Sequence, residues 1–171
     1  MKKKLLYVLP VLLSVFMMIS CSEQVKTYKN AQDVVADITP TVEFMKVEVL
    51  HAMLDTGAMI LLIDVREPQE FNAGYIPGSA NIPRGLMEFK ISNDKYWEDQ
   101  FLYPPLLTDE IILICKKGHR SILTVEAVKK MGFKNVKVLD GGFKKWELTY
   151  PLEQEKNLEQ MHGCGGEVGG C

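Results

Sequence analysis

Long apolar runs, excess positive charge and cysteine are all in short supply in this chain of 171 residues, and each shortage narrows what it can be. The one extended apolar stretch, Leu5 to Ile19, falls short of the roughly 20 residues that a comfortable membrane-spanning helix needs. The formal net charge is −2, and loss of residues 1–20, which hold three lysines and no acids, takes it to −5. That balance argues against nucleic acid as a partner, so any basic patch must be local. With 47% hydrophobic residues the chain has room for one domain with a real core and not for a second. The four cysteines, Cys21, Cys115, Cys164 and Cys171, stand in separate settings.

Lys2-Lys3-Lys4 ahead of the Leu5 to Ile19 run suits a secretory leader. Its end, Met18-Ile19-Ser20-Cys21, resembles the bacterial lipobox, although Met18 stands where leucine is usual. The resemblance implies that residues 1–20 are a lipoprotein signal peptide and that Cys21 carries the lipid. The exported domain would then be held to a bacterial membrane, facing the periplasm. An ordinary secretory signal cut nearby and a plain N-terminal anchor are the alternatives. Residues 21–41 read as a tether with a short helix over Ala31 to Ile38, residues 42–152 as the folded domain, and residues 153–171 as a flexible tail rich in glycine and cysteine.

Within the domain, Val47, Leu50, Met53 and Leu54 fall at helical spacing and Gly57 stops them. Ala58 to Ile63 and Ile111 to Ile114 are continuous apolar runs, the mark of strands buried on both faces. Short helices are predicted from Pro68 to Phe71 and over Gly85 to Ile91, a brief strand over Ala80 to Ile82, and a longer helix from Arg120 or Ser121 to Met131. Val136 to Leu139 is the last predicted strand, and Asp140-Gly141-Gly142 opens a helix toward Trp146, with Asp140 as its cap. Ser92 to Pro105 reads as an irregular, aromatic-rich connection, either padding for the sheet or a lid. Strands alternating with helices predict a three-layer α/β/α sandwich around a mostly parallel sheet.

Strand Ile111 to Ile114 runs straight into Cys115-Lys116-Lys117-Gly118-His119-Arg120-Ser121, and a helix follows. A cysteine at the carboxyl end of a strand, beneath a basic loop leading into a helix, sits where backbone N–H groups and the helix dipole favour an anion. This suits a nucleophilic sulfur carrying negative charge, as thiolate or persulfide. The plain alternative is a buried cysteine packed as a small hydrophobe.

Leu62 to Phe71 (LIDVREPQEF), Gly74 to Pro83 (GYIPGSANIP), the Cys115 loop and Asp140-Gly141-Gly142 together resemble the rhodanese domain. The likeness implies sulfane-sulfur transfer: Cys115 takes sulfur from thiosulfate or a related donor and passes it as a persulfide to cyanide or a thiol acceptor, without a cofactor. It further implies substrate binding by Lys116, Lys117, Gly118, His119, Arg120 and Ser121, whose backbone N–H groups would surround the sulfur, and a supporting ion pair of Asp64 with Arg66. Two departures stand out: Tyr75 replaces a histidine common in the family's turn, and the aromatic insert is long. A cysteine phosphatase or arsenate reductase is the rival chemistry. Four residues separate Cys115 from Arg120, one fewer than the ring that fits a tetrahedral oxyanion, and this favours sulfur. A persulfide carrier serving a partner protein, with little turnover of its own, fits the same loop.

The tail leaves three readings open: a disulfide between Cys164 and Cys171, a metal site of His162, Cys164 and Cys171 with Glu167, or a thiol relay to Cys115. The last two ligand cysteines do not fall at a standard metal spacing.

Overall fold

The computed structural model describes residues 26–161. The leader with Cys21, and His162, Cys164, Glu167 and Cys171 of the tail, lie outside the described residues. In chain order the elements are α1 (Ala31–Ile38), β1 (Glu43–Met45), α2 (Val47–Asp55), β2 (Leu61–Asp64), α3 (Pro68–Asn72), β3 (Ser79–Asn81), α4 (Met87–Lys90), α5 (Asp94–Asp99), β4 (Glu110–Ile114), α6 (His119–Lys130), β5 (Asn135–Leu139), α7 (Gly142–Thr149) and α8 (Leu158–Met161). The five strands form one sheet in the order β1-β5-β4-β2-β3. Every pairing is parallel, which makes the sheet wholly rather than mostly so. None of the described helices is long and apolar enough to cross a membrane.

Alternation along the strands builds two cores, one on each face. Ile63, Val65, Ile111, Leu113 and Cys115 point into one layer, with Ile122, Val125 and Val128 of α6. Leu62, Ile112, Ile114 and Leu139 point into the other, with Leu50 of α2 and Phe143 and Trp146 of α7. Central strands covered on both faces need no polar alternation, and for that reason β2 and β4 read as continuous apolar runs.

Three local features differ from the sequence reading. The helix Ala31–Ile38 forms where expected, but it docks: Ile38 is buried and Val34 and Val35 pack on the α6 side of the core, so this part of the expected tether belongs to the folded body. β1 was not anticipated, because three residues at a sheet edge carry too little pattern to stand out. The connection after α4 is not irregular throughout. Asn93 accepts the Tyr96 N–H and caps α5, and Trp97 is fully buried with its indole donating to Ile91 O at 2.8 Å. The insert thus packs the sheet, and none of its residues lines the Cys115 pocket.

The connections leaving β2 and β4 diverge, one toward β3 and the other toward β5. Ligands of open α/β sheets bind at such a switch point, beyond the carboxyl ends of the strands. Asp64 ends β2 there, and Cys115 follows β4 beside it.

Candidate active site

Cys115 continues the inward alternation of Ile111 and Leu113, so its side chain emerges beneath the start of α6. Among the described residues it is a free thiol, and it is 1% exposed. Gly118 makes the turn possible with φ +98°, and its N–H donates to Cys115 Sγ at 3.1 Å. Of the N–H groups expected to surround the sulfur, this is the one that reaches it. The first turn of α6 adds N–H groups with no partner inside the helix and the positive end of the helix dipole.

The thiol lies on a pocket of about 350 Å³ bounded by Glu70, Cys115, Lys116, Lys117, His119 and Arg120. Four cations or potential cations thus gather around one sulfur, but they are not equally free. Arg120 donates to both oxygens of Glu70, at 2.5 and 2.7 Å. This contact raises the Arg120 guanidinium and holds the Glu70 carboxyl below its ordinary range. Lys116 Nζ lies 3.6 Å from Glu147 and 5.5 Å from the Phe143 ring centre. Lys117 and His119 are exposed. Ser121 is fully buried in α6 and lies off the pocket, and its Oγ has no hydrogen-bond partner among the described residues.

Asp64 and Arg66 form a buried ion pair. Arg66 Nη2 donates to Asp64 Oδ2 at 2.6 Å, Nε reaches both carboxylate oxygens at 2.9 Å, and the Arg66 N–H adds a bond at 3.0 Å. Burial pushes the Asp64 carboxyl up and the guanidinium opposes that shift. Arg66 also donates to Gly74 O and Glu70 O and stacks 4.2 Å from the Phe143 ring centre. Phe143 N–H in turn donates to Cys115 O at 2.8 Å, and Lys144 N–H to Lys116 O at 3.0 Å. The ion pair therefore reaches the cysteine loop through Phe143.

Three contributors were not singled out from sequence: Glu70, Gly142 and Phe143. Glu70 lay inside the quoted LIDVREPQEF motif, and Gly142 was read only as a helix opening. Asp140 is a correction. Gly141, not Asp140, occupies the position before α7, and the Asp140 carboxylate takes Lys145 at 2.6 Å instead. Gly141 in the left-handed region and Gly142 at φ +61° start the helix without a side-chain cap.

A buried cysteine at the carboxyl end of a central parallel strand, under a helix N-terminus and beside a pocket lined by cations, marks the site of an α/β sandwich domain. The chain matches the rhodanese-like domain family over residues 46–149, and it belongs to that family. It is 33% identical over 113 residues to the thiosulfate sulfurtransferase GlpE of Stutzerimonas stutzeri, a match covering 66% of this chain and 92% of that one. Its fold is similar to the human single-domain sulfurtransferase TSTD1, with a TM-score of 0.57 and 25% identity over 64% of this chain and 97% of that one. It is also similar to a Rhodopseudomonas palustris protein described as a possible tyrosine phosphatase, with a TM-score of 0.60 and 26% identity over 72% and 94% of the two chains. The family match and the sulfurtransferase relatives support a role in sulfur transfer.

Proposed function

We propose that this protein is a thiosulfate sulfurtransferase working through a Cys115 persulfide, exported and held to a membrane by lipid on Cys21. The observation that carries the reading is the Cys115 sulfur itself, at the head of the pocket, accepting the Gly118 N–H among Lys116, Lys117, His119 and Arg120. In the first half-reaction the Cys115 thiolate attacks the outer sulfur of thiosulfate. A bond forms from Sγ to that sulfur, the sulfur–sulfur bond of the donor breaks, and its electron pair leaves with sulfite. The persulfide keeps one negative charge, which the Gly118 N–H and the α6 dipole stabilise without reorganisation. In the second half-reaction cyanide or a thiolate attacks the terminal sulfur and the Cys115 thiolate departs. Two half-reactions sharing one covalent intermediate predict ping-pong kinetics.

The test is intact-mass analysis after incubation with thiosulfate, comparing the parent with Cys115→Ser. Gain of one sulfur atom in the parent alone, removed by cyanide, is the expected result. A gain in neither would overturn thiosulfate as donor, and a gain in both would move the chemistry away from Cys115.

One observation favours the carrier alternative: Glu70 already occupies Arg120 and Glu147 lies 3.6 Å from Lys116, leaving Lys117 as the least engaged lysine for a small dianion. Glu70→Gln should release the guanidinium and lower the KM for thiosulfate by about three-fold. The half-exposed pair stabilises the fold by less than about 1 kcal/mol, so the melting temperature should change little. Because Glu70 titrates below its ordinary value of 4.5, the pair's contribution is present above that value and disappears as the pH falls through the lower folded-state value. A raised KM in Glu70→Gln would instead show that Glu70 holds Arg120 in its binding position. Sulfur loading without steady-state cyanide turnover would identify a carrier.

A further inference from the structure

The cysteine pocket occupies the carboxyl edge of the sheet, and the opposite edge displays a cluster of apolar side chains in water. Met59 is 100% exposed, Phe101 97% and Tyr103 92%, with Leu106 and Leu107 also exposed. The position of Met59, Tyr103, Leu106 and Leu107 is fixed by what they touch, and Phe101 stands two residues before Tyr103. Met59, Tyr103 and Leu106 border one groove with Leu61 and Glu110, the first residues of β2 and β4. Leu107 lies against Gly132 and accepts the Lys134 N–H, both just beyond the end of α6. Phe101 adds strain to exposure. It closes α5 with φ +57°, its N–H donating to Glu98 O and the Leu102 N–H to Trp97 O. Glycine usually takes that position, and a side chain there costs roughly 1 kcal/mol. Burial of Phe101 within the chain does not offset it.

The start of the described chain comes to this same edge. Thr41, just ahead of β1, accepts Lys129 Nζ from the last turn of α6 at 3.4 Å. Four residues earlier, the Asp37 carboxylate takes both Lys26 and Tyr28. Lys26, the first described residue, therefore lies beside the amino edge. Cys21 precedes Lys26 by five residues, at most roughly 18 Å of extended chain. Charge at this edge is mixed: Lys129, Lys130 and Lys134 are exposed and can face anionic headgroups, while Glu43 is exposed beside Lys134, Asp109 accepts the Leu106 N–H and Glu110 is paired with Lys137.

We infer that the amino edge of the sheet rests on a lipid bilayer, with Phe101 and Tyr103 in the interfacial layer and the three lysines at acidic headgroups. The inference rests on the reading of Cys21 as the lipid-bearing residue. Lipid holds the chain to the membrane, and the aromatic face sets its orientation. The Cys115 pocket, at the far end of the strands, then opens away from the bilayer toward dissolved donors and acceptors.

Phe101→Trp in the full chain, produced with lipid modification and reconstituted into phosphatidylglycerol-containing vesicles with brominated acyl chains, tests this directly. Trp97 and Trp146 are buried, so the parent gives the unquenched background. The expected result is loss of roughly half or more of the added emission, as for a side chain seated 5–10 Å into the interface. A chain that floats with the vesicles while the new tryptophan stays unquenched overturns the docking face and leaves the lipid anchor intact. An unquenched signal that shifts to the blue with protein concentration overturns it in favour of a second copy. If the full chain fails to float and Cys21→Ser behaves identically, the anchor and the docking face fall together.

Discussion

Gly142→Ala should destabilise the protein by about 3 to 5 kcal/mol and remove most sulfur loading from what remains folded. A Cβ on Gly142 would lie 2.3 Å from Cys115 O and 3.0 Å from both Gly118 N and the Lys116 carbonyl carbon, at φ +61°. All three neighbours are backbone, so no rotamer change relieves the contact. Either the cysteine loop moves away from α7, stretching the bonds from Phe143 N–H to Cys115 O and from Lys144 N–H to Lys116 O, or α7 tilts and loosens Phe143. Both routes shift the Gly118 N–H relative to Sγ. Gly141→Ala is the matched control. It has a similar φ of +71°, and its Cβ would meet Lys145 Cβ and Cδ at 2.7 Å; Cδ can swing aside but Cβ is fixed to the α7 backbone, so about 1 to 3 kcal/mol is expected, with no contact on the cysteine loop. Denaturant unfolding and intact-mass loading on both variants check the contrast. Equal behaviour of the two would refute the idea that α7 acts as the floor of the loop.

Much of this architecture was legible in the sequence because the signals were local and strong. The run before Cys115 could hardly be anything other than a doubly covered strand, and Gly118 between a strand and an amphipathic helix marked a tight turn; the run before Asp64 is strand only from Leu61, because Ala58 to Ile60 lie ahead of the sheet with Met59 fully exposed. What was not legible depends on contacts between distant segments. Glu70 and Arg120 are fifty residues apart, and no periodicity connects them. Gly142 looks like a helix start until the Cys115 carbonyl is found against it. Ser121 sits in the quoted loop, yet helical geometry turns it into the core and away from the pocket. The helix Asp94–Asp99 was missed for a different reason: its Asn93 cap was present, but six residues between prolines and aromatics offer less than two turns of pattern.

The second large effect is expected at the opposite side of the switch point. Arg66→Met should cost about 3 to 5 kcal/mol, because it strands a carboxylate that burial already disfavours in its charged form. Asp64 would retain the Arg66 N–H as its one remaining bond from that residue, while Gly74 O and Glu70 O lose their donor. Arg66→Lys should recover only part of the loss, since one ammonium cannot replace Nε, Nη1 and Nη2 acting in three directions. Replacing both partners, Asp64→Leu with Arg66→Met, removes the unpaired charge and should be less damaging than Arg66→Met alone, although the two carbonyls stay unsatisfied. That ordering, measured by denaturant unfolding, separates the penalty of a stranded charge from the value of the pair itself. The site should register the change too. Arg66 supports Phe143 and the turn of α3 that carries Glu70, so Arg66→Met should weaken Cys115 loading even under conditions where the variant is fully folded. A variant within about 1 kcal/mol of the parent would mean that water or a shifted backbone replaces the guanidinium, and that the path from Asp64 to the cysteine loop carries little energy.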